Sequence, residues 1–279
     1  LQRRRQRQMC IRDSRKTADS DEQILRRQDA IISGNKITTQ IWNYGSISEP
    51  GNRVTDIIWE GLGYGYEFGP FISAEVPLLS NKHPDAYPKV IDGDTTWYAR
   101  VISDGLVTDP ERSPDGSEYW TWEPLAYSDE GLFFADPDYD KIPTASDIDR
   151  DFDGKPDSWA SDWYNPNLKE YVWPGDLRQG ASNADEEAFF VCDDRNNKEF
   201  EYYPFPDDSS RKGLGIQIEY RYYQWANPLA EDIIFLIYKI TYKSTKDLEN
   251  VIFGMWGDPH IGGPSDWSDD LSYFDQEIN

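Results

Sequence analysis

Apolar and polar side chains alternate along much of this chain, the signature of half-buried β-strands. The pattern begins at residues 36–44 (KITTQIWNY), where Ile37, Thr39 and Ile41 alternate with Thr38, Gln40 and Trp42. After the turn residues Glu49, Pro50, Gly51 and Asn52, residues 54–60 and 64–76 read as two strands joined by Gly61, Leu62 and Gly63, a connection of hairpin length. Residues 97–102 read as another strand. Further on, Leu214, Ile216, Ile218, Tyr220 and Tyr222 fall on one face and Gln217, Glu219, Arg221 and Tyr223 on the other, which predicts a sheet with one wet face. Residues 233–242 (IIFLIYKITY) start apolar on both faces, as a central strand does, and residues 251–256 follow the turn-rich KSTKDLEN. These three strands are predicted to form an antiparallel meander.

Helical periodicity is weak. Residues 18–32 offer a short helix capped by Ser20 or Asp21, and residues 183–190 begin with an Asn cap followed by acids. Many strands at short intervals with almost no helical pattern predict an all-β fold, an antiparallel β-sandwich. Residues 104–180 interrupt it: they are dense in Asp, Pro, Gly, Ser and Trp and carry little periodicity. A loop region of this length in a compact domain is usually functional or ordered by something other than a core, and it is read as a calcium-organised insertion. No repeat of fixed period is visible, which excludes solenoids and propellers.

Composition sharpens this picture. Aromatic residues reach 15% of the 279 positions, with 11 Trp and 18 Tyr, too many for a solvated disordered chain. Acids outnumber bases 52 to 28, a net charge of −24, which makes nucleic acid and anionic membrane surfaces poor partners and cations good ones. No apolar run is long enough to span a bilayer. Two Cys and two His leave little room for thiolate or imidazole metal chemistry. The first 14 residues, LQRRRQRQMCIRDS, hold five Arg against one Asp and are expected to be a non-native, adapter-derived arm outside the fold. Without them Cys192 is the only thiol, so no intrachain disulfide forms. Residues 15–33 are read as a linker or short helix and 34–279 as the sandwich domain. Its last stretch, DWSDDLSYFDQEIN, carries no stop signal, so truncation and further domains of a longer parent chain are expected.

The sharpest chemical signal is DIDRDFDGKPD, residues 147–157. Asp149, Asp151 and Asp153 fall at alternate positions, Gly154 follows, and Asp157 comes three residues later. Ca²⁺ takes six to eight oxygens, and carboxylates so spaced converge when a glycine lets the chain turn back. Lys155 would add its backbone carbonyl, and Asp147 a further carboxylate. The run starts like an EF-hand loop, but Ala160 stands where a bidentate Glu is required and Pro156 sits at the eighth position, so it is not an EF-hand. DRDFDGKPDSW instead resembles the Asp-rich calcium repeats of the thrombospondin type 3 kind over about ten residues, without their tandem repetition. Four Asp within nine residues repel one another until a cation offsets them. An isolated loop of this kind binds at about 10⁻⁴–10⁻³ M, useful outside the cell and useless in a calcium-poor cytosol; an extracellular or outer-surface location is therefore expected.

A second cluster comprises Asp258, His260, Asp266, Asp269 and Asp270, with Asp275 beyond and Gly262 and Gly263 between, directly after the strand VIFGMW. It is read either as a second divalent-ion site or as a solvated acidic loop. Asp136, Asp138 and Asp140 repeat the alternation without a glycine. Paired carboxylates also serve glycoside hydrolysis, but so many acids favour no particular pair, and catalytic residues are not assigned. No nucleophile elbow, P-loop, HExxH or Rossmann fingerprint is present, and GLGYGYEFG reads as a Gly-rich twisted hairpin. Trp120, Trp122, Trp159, Trp163, Trp173 and Trp267 fall in loop-like acidic regions, where a ring either stacks on a sugar or plugs a satellite core.

GNKITTQIWNYGSISEPGN, DIIFLIYKITYKS and VIFGMWGDPHIGG followed by DWSDD together resemble large secreted proteins of marine gram-negative bacteria that carry a C-terminal sorting domain for the type IX route. The resemblance spans most of residues 34–279 and implies a β-rich architecture, export and a longer parent chain. It supplies no catalytic residues. The expected role is that of a secreted or cell-surface calcium-binding module, structural or adhesive. The alternatives are a polysaccharide-active, glycoside hydrolase-like enzyme and a carbohydrate-binding module, with glycans as partners.

Overall fold

The computed structural model describes residues 27–48, 56–106, 112–125, 142–259, 261–263 and 266. In chain order the strands are β1 (Asp29–Ile32), β2 (Ile37–Trp42), β3 (Ile58–Trp59), β4 (Leu62–Gly63), β5 (Gly65–Leu78), β6 (Tyr87–Ile91), β7 (Asp94–Asp104), β8 (Glu123–Pro124), β9 (Tyr164–Asn165), β10 (Glu170–Tyr171), β11 (Glu186–Asp193), β12 (Ile216–Gln224), β13 (Phe235–Tyr242) and β14 (Glu249–Pro259). Every ladder is antiparallel. One sheet runs β14-β5-β7-β6, a second β13-β12-β11-β8, and β1 to β4 form a third. Ile47 ties the third sheet to β5 by bridging Ile41 and Phe68. No described helix is long and apolar enough to cross a membrane.

The first two sheets share one apolar core, as a sandwich requires. Ile72, Ala74, Val76 and Val101 from β5 and β7 join Phe190, Cys192, Ile218 and Tyr220 from β11 and β12 in a single cluster. Phe190 stacks on Tyr220 at 4.4 Å between centroids, and Tyr222 meets it edge-on at 5.7 Å; such pairs contribute about 0.5–1.5 kcal/mol beyond their buried area. The antiparallel β-sandwich expected from the alternation is thus the fold that forms.

Five local expectations are corrected. Residues 186–190, within the span read as a capped helix, belong to β11, a strand buried on both faces; such a strand has a continuous apolar run (AFFVC) instead of alternation, and the Asn cap signal ahead of it has no helix to cap. Likewise Asp29–Ile32, the end of the span read as a helix over 18–32, is strand β1, and residues 18–26 lie outside the described residues. The face of β12 expected to be wet is largely covered: Gln217 and Tyr223 are buried, and Glu219 and Arg221 are half-buried. β13 is an edge strand rather than a central one, and β14 leaves the expected meander for the other sheet, where Phe253 pairs with Ile72 of β5.

The outer face of the β11–β12 sheet is covered by a second, smaller core. Leu125, Trp159, Trp163 and Trp173 come from the loop-rich region and pack with Phe189 and Val191. The three indoles touch pairwise at 5.4–5.9 Å. At its rim the Arg221 guanidinium lies 4.2 Å from the Phe189 ring centroid and donates to Glu187 Oε1 at 2.8 Å and to the Pro174 carbonyl at 2.6 Å. These rings act as the plug, and Trp122 sits in the main core, donating from Nε1 to Ser103 Oγ at 2.8 Å. Trp120 is half-buried, and Trp267 lies outside the described residues.

The turns follow backbone chemistry. Asp92 and Gly93, at φ +54° and +93°, make the two-residue loop between β6 and β7. Glu60 and Gly61 do the same between β3 and β4, at φ +48° and +87°, one residue earlier than the glycine spacing implied. Gly105 is required for another reason: a Cβ there would lie 1.7 Å from the Tyr44 carbonyl oxygen, which is backbone and cannot yield.

Two carboxyls, the buried Asp194 and the half-buried Asp104, make the fold pH-sensitive. Burial pushes Asp104 up to about 6 against the Leu106 backbone N–H, and Asp194 up to about 7 against the N–H groups of Leu214 and Ile216. Both bind a proton more tightly folded than unfolded, so their contribution is complete below about pH 4 and is lost as pH rises through 6 and 7. Thermal unfolding in chelator is expected to give a lower Tm at pH 8 than at pH 5. Asp104→Asn, which keeps the acceptor for Leu106, is expected to flatten that slope by up to ~3 kcal/mol; an unchanged slope would show that Asp104 does not carry it.

Candidate metal centre

The acidic loop hangs from the tryptophan plug. Before it, residues 142–145 are stitched beside β11: the Ala145 N–H donates to the Glu187 carbonyl at 2.8 Å, and Thr144 bridges Ala188. After it, Trp159 Nε1 reaches back to the Thr144 carbonyl at 2.9 Å, and the buried Lys155 Nζ donates to the Trp159 carbonyl at 2.9 Å. Both ends of the loop are thereby fixed to the outer face of the sheet.

Within it, aspartates wrap the chain by accepting from backbone N–H groups ahead of them. Asp149 Oδ1 accepts from Asp153 at 3.1 Å and Oδ2 from Gly154 at 2.9 Å; Asp151 Oδ1 accepts from Asp153 at 3.3 Å, and Asp153 Oδ1 from Lys155 at 2.9 Å. Gly154 turns at φ +94°, where nothing would meet a Cβ, so its conformation and not its size is what the loop uses. Phe152, at φ +61° and 90% exposed, points into solvent. One oxygen from each of Asp149, Asp151 and Asp153 lies within 4.8 Å of the others. Three anionic oxygens this close, with further lone pairs open to water, suit a hard divalent cation.

Two of the remaining expected ligands, Asp147 and Asp157, are used otherwise. Arg150 Nη1 donates to Asp147 Oδ1 at 2.6 Å and to Asp157 Oδ2 at 3.0 Å. Asp147 also accepts from the Ser158 and Ile148 N–H groups at 2.8 and 2.9 Å, and Asp157 from the Arg150 N–H at 2.9 Å. Burial works to raise the Asp147 carboxyl, but the Ser158 and Arg150 donors outweigh it and hold the group below its ordinary range. Asp157 is lowered by the Arg150 backbone and side chain. Arg150 thus latches the neck of the loop, leaving the triad at its tip. The sequence reading passed over this residue; the signal was the one arginine inside a run of five Asp.

Of the second cluster, Asp258 lies in β14 and Asp266 beside Gly262, whose Cβ position would be 2.5 Å from Asp266 Oδ2. His260, Asp269 and Asp270 lie outside the described residues, as do Asp136, Asp138 and Asp140. Among the described residues, Asp149, Asp151 and Asp153 are the one carboxylate group brought within ligand distance.

No protein-family model matches this chain, and comparison with curated proteins and with solved structures gave no match.

The latch has a pH signature. Asp147 and Asp157 are both lowered, so their contribution is present above the ordinary carboxylate range and is lost as pH falls through it. Arg150→Gln is expected to lower Tm at pH 7, and the gap from the unmutated chain to close toward pH 3. A gap that is constant with pH would show that Arg150 acts through packing alone.

Proposed function

We propose that this chain is a calcium-stabilised β-sandwich module that works outside the cell or at its surface, in a structural or adhesive role. The observation that supports this reading most is the convergence of Asp149, Asp151 and Asp153 around the left-handed Gly154, with Asp147 and Asp157 withdrawn onto Arg150. The latch pairs two of the acids in this loop with one positive charge; a divalent cation would offset most of the charge on the other three. The loop is anchored to the plug on both sides, so an ion there stiffens a segment with little core of its own. Because Ca²⁺ binds N and not U, it adds about 1.4 kcal/mol at ten times its Kd.

The test is thermal unfolding of the full chain in millimolar Ca²⁺ against excess chelator, with an Asp151→Ala, Asp153→Ala variant alongside. Calcium is expected to raise Tm by about 2–4 °C in the parent and to leave the variant unmoved. Identical melting of the parent in both conditions would remove the reading.

A second reading, a polysaccharide-active enzyme, is favoured by one cavity. Asp147, Arg150, Ser158 and Glu186 line a cleft of about 260 Å³ beside the loop. Burial raises the Glu186 carboxyl while Asp147 is lowered, and such divergence marks acid and base partners. Glycan turnover abolished by Glu186→Gln, but retained in the Asp151→Ala, Asp153→Ala variant, would put this reading first.

A further inference from the structure

Among the described residues no strand pairs with the outer edge of β14 or of β13, and those two edges lie side by side: Tyr238 and Phe253 meet at 5.8 Å between ring centroids. β14 is exposed along nearly its whole length. Val251, Ile252, Phe253, Met255 and Trp256 remain between 38% and 55% accessible, and no charged side chain stands between Glu249 and Asp258. Edge strands of soluble monomers are ordinarily blunted by Lys, Pro or bulges within the strand. Here the register irregularities fall at the two ends, between Glu249 and Ile252 and between Asp258 and Pro259, and the middle is regular.

That middle is self-complementary. Laid antiparallel against a second copy about Gly254, Ile252 meets Trp256 and Phe253 meets Met255, so the regular middle sets apolar side chains against apolar ones and no acid faces an acid. On the neighbouring sheet Ile240 and Tyr242 are exposed beside the same seam. A Phe or Trp buries about 150–250 Å² in full, so seven apolar side chains left roughly half exposed present on the order of 500 Å² per copy. With the strand backbone and rim, this approaches the ~800 Å² per partner of a standard interface.

We propose that the chain forms a two-fold dimer through β14, pairing antiparallel about Gly254, so that the β14-β5-β7-β6 sheet continues from one copy into the next. The inference is independent of the calcium reading. Each copy carries a net charge of −24, so the contact forms against long-range repulsion. Salt screens that repulsion, with a Debye length of about 10 Å at 0.1 M, and the dimer is tighter at high ionic strength, the reverse of an ion-paired interface.

The test is sedimentation equilibrium of the full chain at about 1–100 µM in 0.05 and 0.5 M NaCl, with near-UV circular dichroism confirming that each variant keeps native packing. Twice the chain mass, favoured by the higher salt, is expected for the parent. A single-chain mass is expected for Ile252→Glu with Trp256→Glu, since both side chains lie on the face away from the core. Ile252→Lys with Trp256→Glu, which places opposite charges across the proposed register, is expected to restore the dimer and to make it weaken with salt. A parent that stays monomeric at the top concentration in 0.5 M NaCl overturns the proposal, and so does a dimer unaffected by the paired glutamates. Failure of the Lys–Glu variant to associate overturns the register about Gly254.

Discussion

Burial of β11 on both faces, with β12 beside it, is the constraint from which the rest of the structure follows. One face carries Phe190, Cys192, Ile218 and Tyr220 into the core between the sheets; the other presents Phe189 and Val191, which would be left wet if nothing covered them. Apolar surface is worth roughly 25 cal/mol per Å² removed from water, so a segment that brings three indoles to that face gains enough to hold an otherwise irregular chain in place. The described part of the long acidic region is therefore not an appendage to the sandwich. It is the lid over the second face, and its fixed points are the residues that touch that face.

The charge arrangement follows from this anchoring. Trp159 and Lys155 tie one end of the acidic loop to the plug, and residues 142–145 tie the other beside β11. The loop between must bring many carboxylates together over a short chain. Arg150 takes two of them, and backbone N–H groups soften the repulsion among Asp149, Asp151 and Asp153 without neutralising it. A divalent cation is the agent suited to that residue of negative charge, in a protein whose overall balance already favours cations over anions. The same balance bears on the β14 edge, where an uncharged stretch is the part of an acidic surface on which two copies can meet.

Much of this was legible in the sequence and part was not, for physical reasons. Strands β5 and β7, more buried on one side than the other, announced themselves by alternation, and the Asp spacing with Gly154 marked the loop because that chemistry is local. β11 was misread because a strand covered on both faces has no period of two. The wet face assigned to β12 is only half-exposed for a related reason: part of what covers this side of the sheet, the Pro174 carbonyl on Arg221 and the tryptophan plug on neighbouring β11, comes from segments distant in sequence and irregular in pattern. The β6–β7 hairpin could have been found, since Asp92-Gly93 is the dipeptide such a turn prefers. The roles of Asp147 and Asp157 were beyond spacing alone, because a count of carboxylates does not say which of them an arginine takes.

The central claim is that the Asp149, Asp151 and Asp153 triad binds calcium and that the ion completes the loop. Calorimetric titration of Ca²⁺ into the full chain at neutral pH in 0.15 M NaCl tests it most directly, with Mg²⁺ as the competitor, since a flexible site of oxygens suits the larger ion. The account expects a saturable site with Kd near 10⁻⁴–10⁻³ M, weaker for Mg²⁺ and absent once Asp151 and Asp153 are alanine. No saturable heat from Ca²⁺ up to several millimolar, or the same heat from the alanine variant, would contradict it.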